Sequence, residues 1–305
     1  MRQLNMIRKP IPGLILVTLS AMLWGTVTVG VKILYNLGET TPLTVGWLRL
    51  TVAAPALYLL GLLMTGEHPF QALVTSNGRR VLLLLAALSM AAYQVCLFAA
   101  LTRTSVTTGV VLAICSAPIF AALLAWPLLA ERPTVWVGVA MAGAITGAVI
   151  LSHLTDWDDL VQETYLPGNL LALGAGLSYA GYSLLARWLV GQTKPWHIIS
   201  LTFLGGSLLL LPLVTAQGFV ARFDGVGWAI VLYLGLIPTA LAYILYIFGL
   251  RTTLASVATT VALIEPLTAS ILAFVILGER LTTLEAVGAI ILLAAMVLLY
   301  QTKGR

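Results

Sequence analysis

The chain has 305 residues, of which 60% are hydrophobic and only 9% charged, and its mean hydropathy is +1.02. Soluble globular domains carry about 25% charged residues, so this chain has too few to cover a soluble globule with polar surface. Its net charge of +5 comes from single or paired Lys and Arg at the ends of apolar runs, and that scatter excludes the one-faced basic stripe of a nucleic-acid binder.

In chain order, Arg8 and Lys9 precede an apolar run from Leu14 to Tyr35. The run is longer than the signal-peptide core of about 7–15 residues and is read as a first membrane span. A span needs about 20 apolar residues. Runs of that kind cover 14–35, 42–64, 80–101, 106–130, 133–152, 168–190, 196–216, 227–250, 253–278 and 281–300. The expected fold is therefore all-α and transmembrane, with ten helices and short connections. Only 65–79 and 153–167 are long enough to hold further structure. Cys96 and Cys115 both lie inside spans and suggest neither a disulfide framework nor a metal site.

Cytoplasmic loops collect Lys and Arg. With the N-terminus inside, the inner side holds eleven basic residues: Arg2, Arg8, Lys9, Arg79, Arg80, Arg132, Arg187, Lys194, Arg251, Lys303 and Arg305. The outer side holds three, Arg103, Arg222 and Arg280, and the span interiors hold Lys32 and Arg49. Both termini are thus expected in the cytoplasm of a bacterial inner membrane. The loop bearing Asp156, Asp158, Asp159 and Glu163, without Lys or Arg, is expected in the periplasm.

Displaced by 148 positions, residues 101–132 fall on 249–280, pairing Arg103 with Arg251, Pro118 with Pro266, Glu131 with Glu279 and Arg132 with Arg280. Thr104, Ala121, Leu124, Ala125 and Leu129 also meet identical residues. Near the start of each half, an aromatic and a basic residue stand eight apart: Trp24 with Lys32, and Tyr179 with Arg187. The division is a first five-helix repeat over 1–152, a connecting loop over 153–167 and a second five-helix repeat over 168–305. Five spans per half force the halves into opposite orientations. Such inverted repeats suit alternating access, because one plan can adopt two mirror-related packings.

These residues resemble the drug/metabolite transporter superfamily, and within it the ten-helix EamA-type exporters. The resemblance is carried by Leu23-Trp24-Gly25 with Lys32, by Arg49 in its Trp-Leu-Arg-Leu setting, by Pro118 followed by Leu128 to Arg132, and by the stretch from Glu265 to Arg280. It covers nearly the whole chain and looks most like the YddG-type aromatic and neutral amino acid exporters. It implies outward transport of amino acids or other small metabolites. It also implies a central cavity lined by spans one to four and six to nine, with spans five and ten peripheral. Ala117 stands where the second half has Glu265, so that carboxylate is not duplicated.

Glu265 falls near mid-depth of span nine, where ionisable groups are rare and face a cavity or a partner. Two readings stand: a group that binds a proton or a substrate amine, or a neutral strut bonded to a carbonyl freed by Pro266, which has no N–H to donate. Arg49 has no acid near it in its own span. It reads either as a fork for a substrate carboxylate, or as a strut on backbone carbonyls or a side chain snorkelling outward. Snorkelling suffices for Lys32. Trp24, Tyr93, Tyr179 and Tyr182 approach mid-depth, with Tyr243 and Tyr246 deeper toward the cytoplasm. Buried phenols need partners, so together with Gln94 and Ser178 these aromatics are expected to line the substrate pocket, against the alternative of plain helix packing. Pro118 and Pro266, at equivalent repeat positions, are expected to interrupt spans four and nine as kinks or hinges. Gly143 and Gly147 form a GxxxG step suited to close helix approach or to self-association into a homo-oligomer.

No HExxH, GxSxG or P-loop pattern occurs, so hydrolase and ATP-driven readings lack support, and neither cofactor nor metal is expected. His153 and Asp158 form an HxxxxD spacing known from acyltransferases, but without an accompanying motif. Nothing resembles a channel filter. The expectation is a secondary transporter, not an enzyme, exporting small zwitterionic metabolites by alternating access, with amino acids ahead of other metabolites or drugs.

Overall fold

The structure is a computed structural model, and it describes residues 13–74, 76–152, 160, 162–278 and 282–302. Arg2, Arg8, Lys9, His153, Asp156, Asp158, Asp159, Glu279, Arg280, Lys303 and Arg305 lie outside the described residues.

The first half comprises α1 (Gly13–Leu37), α2 (Pro42–Thr65), a short α3 (Gln71–Val74), α4 (Asn77–Leu101), α5 (Val106–Leu129) and α6 (Val135–Leu151). The second comprises α7 (Leu166–Val190), α8 (Pro195–Gln217), α9 (Gly225–Leu250), α10 (Ala255–Val261 continued by Ile264–Leu277) and α11 (Thr283–Gln301). Eight of these helices are long and apolar enough to cross a membrane, and α6 is a shorter apolar helix of 17 residues. Besides the four-residue α3, the remaining one is α7, of 25 residues, with Gly, Ser and Tyr diluting its apolar character. The molecule is thus an all-α, multi-pass membrane protein whose helices fall on the ten expected spans.

Local chemistry sets the boundaries. The hydroxyls of Thr41, Ser76, Ser105 and Thr134 accept the N–H three residues on and cap α2, α4, α5 and α6, and the Asp224 carboxylate does the same for α9. Such caps hold backbone donors that the helix itself leaves unpaired. Between α1 and α2 the chain forms a two-residue β1 (Glu39–Thr40), which pairs antiparallel with β2 (Ala221–Arg222) between α8 and α9. This ribbon was not apparent from the sequence.

Packing is intimate where glycine removes a side chain. A Cβ on Gly25 of α1 would stand 2.7 Å from the Glu265 carbonyl oxygen of α10, and one on Gly176 of α7 would stand 2.7 Å from the Ala113 oxygen of α5. A Cβ on Gly147 of α6 would lie 2.8 Å from the Gly288 oxygen of α11. The GxxxG step of α6 is therefore occupied within the chain, against α11, and does not present a face for self-association. Helix α4 packs on α7 and α8, α5 on α7, α2 on α8, and α1 on α9 and α10.

The two prolines sit differently in their helices. Helix α5 runs unbroken through Pro118, on a turn where Ser116, Ala117 and Pro118 are buried against Gly176. Span nine does break, between Val261 and Ile264. Pro266 cannot donate to the Ala262 oxygen, and the Glu265 N–H takes that oxygen instead at 2.9 Å in a tighter turn. Glu265 and Pro266 then fall in the first turn of the second half-helix, Ile264–Leu277, where proline costs no hydrogen bond.

Candidate functional site

A cavity of about 400 Å³ lies inside the bundle. Its wall is drawn from α1, α2, α4, α5, α7, α9 and α10; α6 and α11 do not contribute, and neither does α8, span seven, which was expected to line it. Along α1 it runs from Trp24 to Lys32 and Tyr35. On α2 it runs from Arg49 up to Pro42, and on α4 from Met90 to Leu101. Every one of these stretches leads to the same end of the bundle, so the cavity opens there and is blind at mid-depth.

Of the expected pocket residues, Trp24, Arg49, Tyr93, Gln94, Tyr179, Tyr243 and Glu265 all line this cavity. Ser178, Tyr182 and Tyr246 do not. The Ser178 hydroxyl turns back to donate to the Gly174 carbonyl at 2.7 Å. Tyr182 and Tyr246 are fully buried below the cavity, and Tyr246 shares a 2.8 Å hydrogen bond with Ser183. They belong to the layer that closes its blind end. The helical period puts Tyr182 and Tyr179 almost on one face, but Tyr182 lies a turn deeper, and depth separates floor from wall.

The aromatic rings form one connected cluster. Trp24 meets Tyr243 at 5.0 Å between ring centroids, Tyr246 at 5.2 Å and Tyr179 edge-on at 6.0 Å. Tyr93 reaches Tyr179 at 5.9 Å, and Phe203 props Tyr243 from behind at 4.7 Å. Trp24 Nε1 and Tyr179 Oη are buried and find no partner among the described residues. Gly25 explains Trp24's position. Its missing Cβ lets α1 lie against the backbone of Glu265, and the neighbouring indole enters the cavity that Glu265 also lines.

Two charged groups face the same space from different helices. Among the described residues, Arg49 makes one hydrogen bond, from Nε to Thr239 Oγ1 at 3.1 Å. It is bonded neither to backbone carbonyls, as a strut would be, nor to an acid. The Glu265 carboxyl makes no hydrogen bond among the described residues, and the carbonyl nearest Pro266 is already taken by Glu265's own N–H. Of the two readings of Glu265, the strut on a carbonyl freed by Pro266 is not formed among the described residues. No ion pair joins Arg49 to Glu265. Thr239, Phe98 and Gly46 also line the cavity. The sequence offered no signal for them beyond Pro238, whose missing donor foreshadows the irregular turn that carries Thr239.

Below the aromatic floor, the other end of the bundle is held by a polar clasp. Glu131, at the end of α5 and nine-tenths buried, receives Arg187 Nε of α7 at 3.0 Å and the Ala255 N–H that opens α10 at 3.1 Å. Arg187 also donates to the Arg251 carbonyl at 3.4 Å. Three helices are thereby tied at one acid.

A polytopic helical bundle with a largely apolar pocket that holds a few polar groups, open at one end and shut at the other, is the architecture of a membrane transporter. The chain belongs to the EamA-like transporter family, whose model matches residues 11–153 and again 166–301. It is 33% identical over 283 residues, 93% of this chain and 92% of the relative, to the uncharacterized transporter YwfM of Bacillus subtilis. It is also 29% identical over 262 residues, 84% of each chain, to a probable terminal-alkyne amino-acid exporter of Streptantibioticus cattleyicolor. A solved crystal structure at 16% identity superposes with a TM-score of 0.82, covering 96% of this chain and 99% of the other, which shows the common fold. Family membership makes a small molecule the substrate and the bilayer the surrounding medium.

Proposed function

We propose that this transporter exports small zwitterions, amino acids with apolar or aromatic side chains first among them, by alternating access through the central cavity. The observation that carries the proposal is the pair Arg49 and Glu265. A guanidinium and a carboxyl line one apolar cavity without neutralising each other. Charged groups at mid-membrane depth are costly unless paired, and an α-amino acid brings the complement of both. Its carboxylate suits the Arg49 fork. Its ammonium suits Glu265 and the faces of Trp24 and Tyr243 through cation–π attraction. The apolar wall of Leu97, Phe98, Val110 and Ile114 suits an apolar side chain. The name of the Streptantibioticus cattleyicolor relative, an amino-acid exporter, points the same way.

The bias of Lys and Arg supports an open end on the outer side, and on that reading the conformation is outward-open. Release to the periplasm is followed by closure above Trp24 and by opening of the Glu131–Arg187–Ala255 clasp below. The inverted relation of the two halves, read from the 148-residue displacement, supplies the two related packings this cycle needs. Binding measured by thermal shift of the purified protein tests the pairing. L-phenylalanine should stabilise the wild type, and Arg49→Met and Glu265→Gln should each lose most of that stabilisation. Equal stabilisation of all three by L-phenylalanine would contradict the zwitterion site.

A further inference from the structure

We propose that Thr239, presented by a π turn in α9, is the positioning residue that aims Arg49 at the substrate carboxylate; this rests on the zwitterion reading above. The backbone of α9 widens to a π-helix over Leu236–Leu241, a local form that is rare and concentrated at functional sites. Pro238 explains the widening. It has no N–H for the Leu234 carbonyl, the acceptor one α-turn before it. Thr239 fills that gap with its side chain, its Oγ1 donating to the Leu234 oxygen at 2.7 Å.

A hydroxyl has one proton and two lone pairs. Because the proton is committed to Leu234, the oxygen can only accept from Arg49, and it does so from Nε at 3.1 Å. The direction of this relay is thus fixed: Arg49 Nε–H to Thr239, and Thr239 O–H to Leu234. Binding Nε fixes the guanidinium plane and leaves the opposite edge, with both terminal nitrogens, as the donors for a carboxylate. Thr239 is 1% exposed, so solvent does not compete for the relay. Arg49 comes from α2 and Thr239 from α9, so the same contact ties the substrate-facing guanidinium of the first half to a span of the second.

Threonine hydroxyls often bond back to a helix carbonyl without further purpose, and the test separates that case. Counterflow into liposomes holding the purified protein is measured for L-phenylalanine and for L-phenylalaninamide, which keeps the amine and side chain but lacks the carboxylate. The wild type should prefer the acid. Thr239→Val keeps the shape and loses the relay. It should raise the KM for the acid about tenfold, the loss expected for a hydrogen bond to a charged group, and leave the KM for the amide unchanged. Thr239→Ser should restore the wild-type ratio. If Thr239→Val does not fold, Thr239→Cys, of similar size and a poor acceptor, is expected to give the same shift. A wild type without preference for the acid overturns the zwitterion reading and this proposal together. A wild-type preference that survives unchanged in the folded Val or Cys variant, or an equal loss for acid and amide, overturns the positioning role alone.

Discussion

At mid-depth, Glu265 stands where a proton could reach it from the open cavity, in the first turn of a half-helix whose N-terminal dipole favours negative charge. If its protonation follows the access state, a proton gradient can drive export. Glu265→Gln keeps size and a donor but cannot titrate. It should still exchange substrate across liposome membranes while losing any response to an imposed pH gradient. A gradient response kept in Glu265→Gln contradicts coupling at this residue, and a wild type indifferent to the gradient makes the protein a facilitator. The wall and the floor should also respond differently. Trp24→Ala or Tyr93→Phe should change substrate preference or KM. Tyr182→Phe, which removes a buried hydroxyl that has no partner among the described residues, should leave transport unchanged and stability equal or higher. Altered preference in Tyr182→Phe would move the pocket boundary one turn deeper. Seven of the cavity-lining residues were singled out in the sequence because polar and aromatic groups at mid-depth are conspicuous in apolar spans. Ser178, Tyr182 and Tyr246 were assigned there too, because composition gives depth along a helix but not which side of a closed layer a ring occupies.

Among the elements, α1 and α10 meet backbone to backbone at Gly25, and Gly25→Ala would drive a methyl group to 2.5 Å from the Thr268 Cβ. Overpacking of this kind costs about 1–3 kcal/mol. The variant should therefore melt several degrees lower and bind substrate more weakly, as seen by thermal unfolding in detergent; an unchanged melting temperature would mean that the two helices are not so close. The clasp at the other end offers a second test. Glu131→Gln keeps the Ala255 contact possible but removes the charge that holds Arg187. Arg187 is 28% exposed, so solvent softens the loss to about 1–2 kcal/mol. That shifts the balance of access states by about tenfold. A cysteine placed at Ser183, under the floor, should label faster from the cytoplasmic side in this variant, whereas equal labelling would leave the clasp a static tie. The element positions were legible from apolar runs, and the proline pattern pointed correctly to span nine. The unbroken course of α5 was not legible, because a proline inside an apolar run marks a lost donor but not whether the helix continues past it. The π turn was hidden for a related reason: Pro238 announces a missing donor, but not the hydroxyl that replaces it.

For the whole molecule, the proposed orientation and the proposed inverted relation of the halves rest on charge and parity in the sequence. With Cys96 and Cys115 replaced by Ser, a cysteine at Glu163 should react with an impermeant thiol reagent in intact cells, and one at Glu67 should react only after the membrane is opened. Reversed labelling would put the open end of the cavity on the cytoplasmic side and turn the export cycle around. The most direct measurement is counterflow into liposomes holding only this protein, loaded in turn with a panel of labelled amino acids and with analogues that lack either the amine or the carboxylate. Accumulation should occur for apolar and aromatic amino acids, fall by about tenfold or more for each singly charged analogue, and vanish in Arg49→Met. Accumulation of the singly charged analogues as fast as of the amino acids, or of none of the amino acids, would contradict a cavity built for a zwitterion.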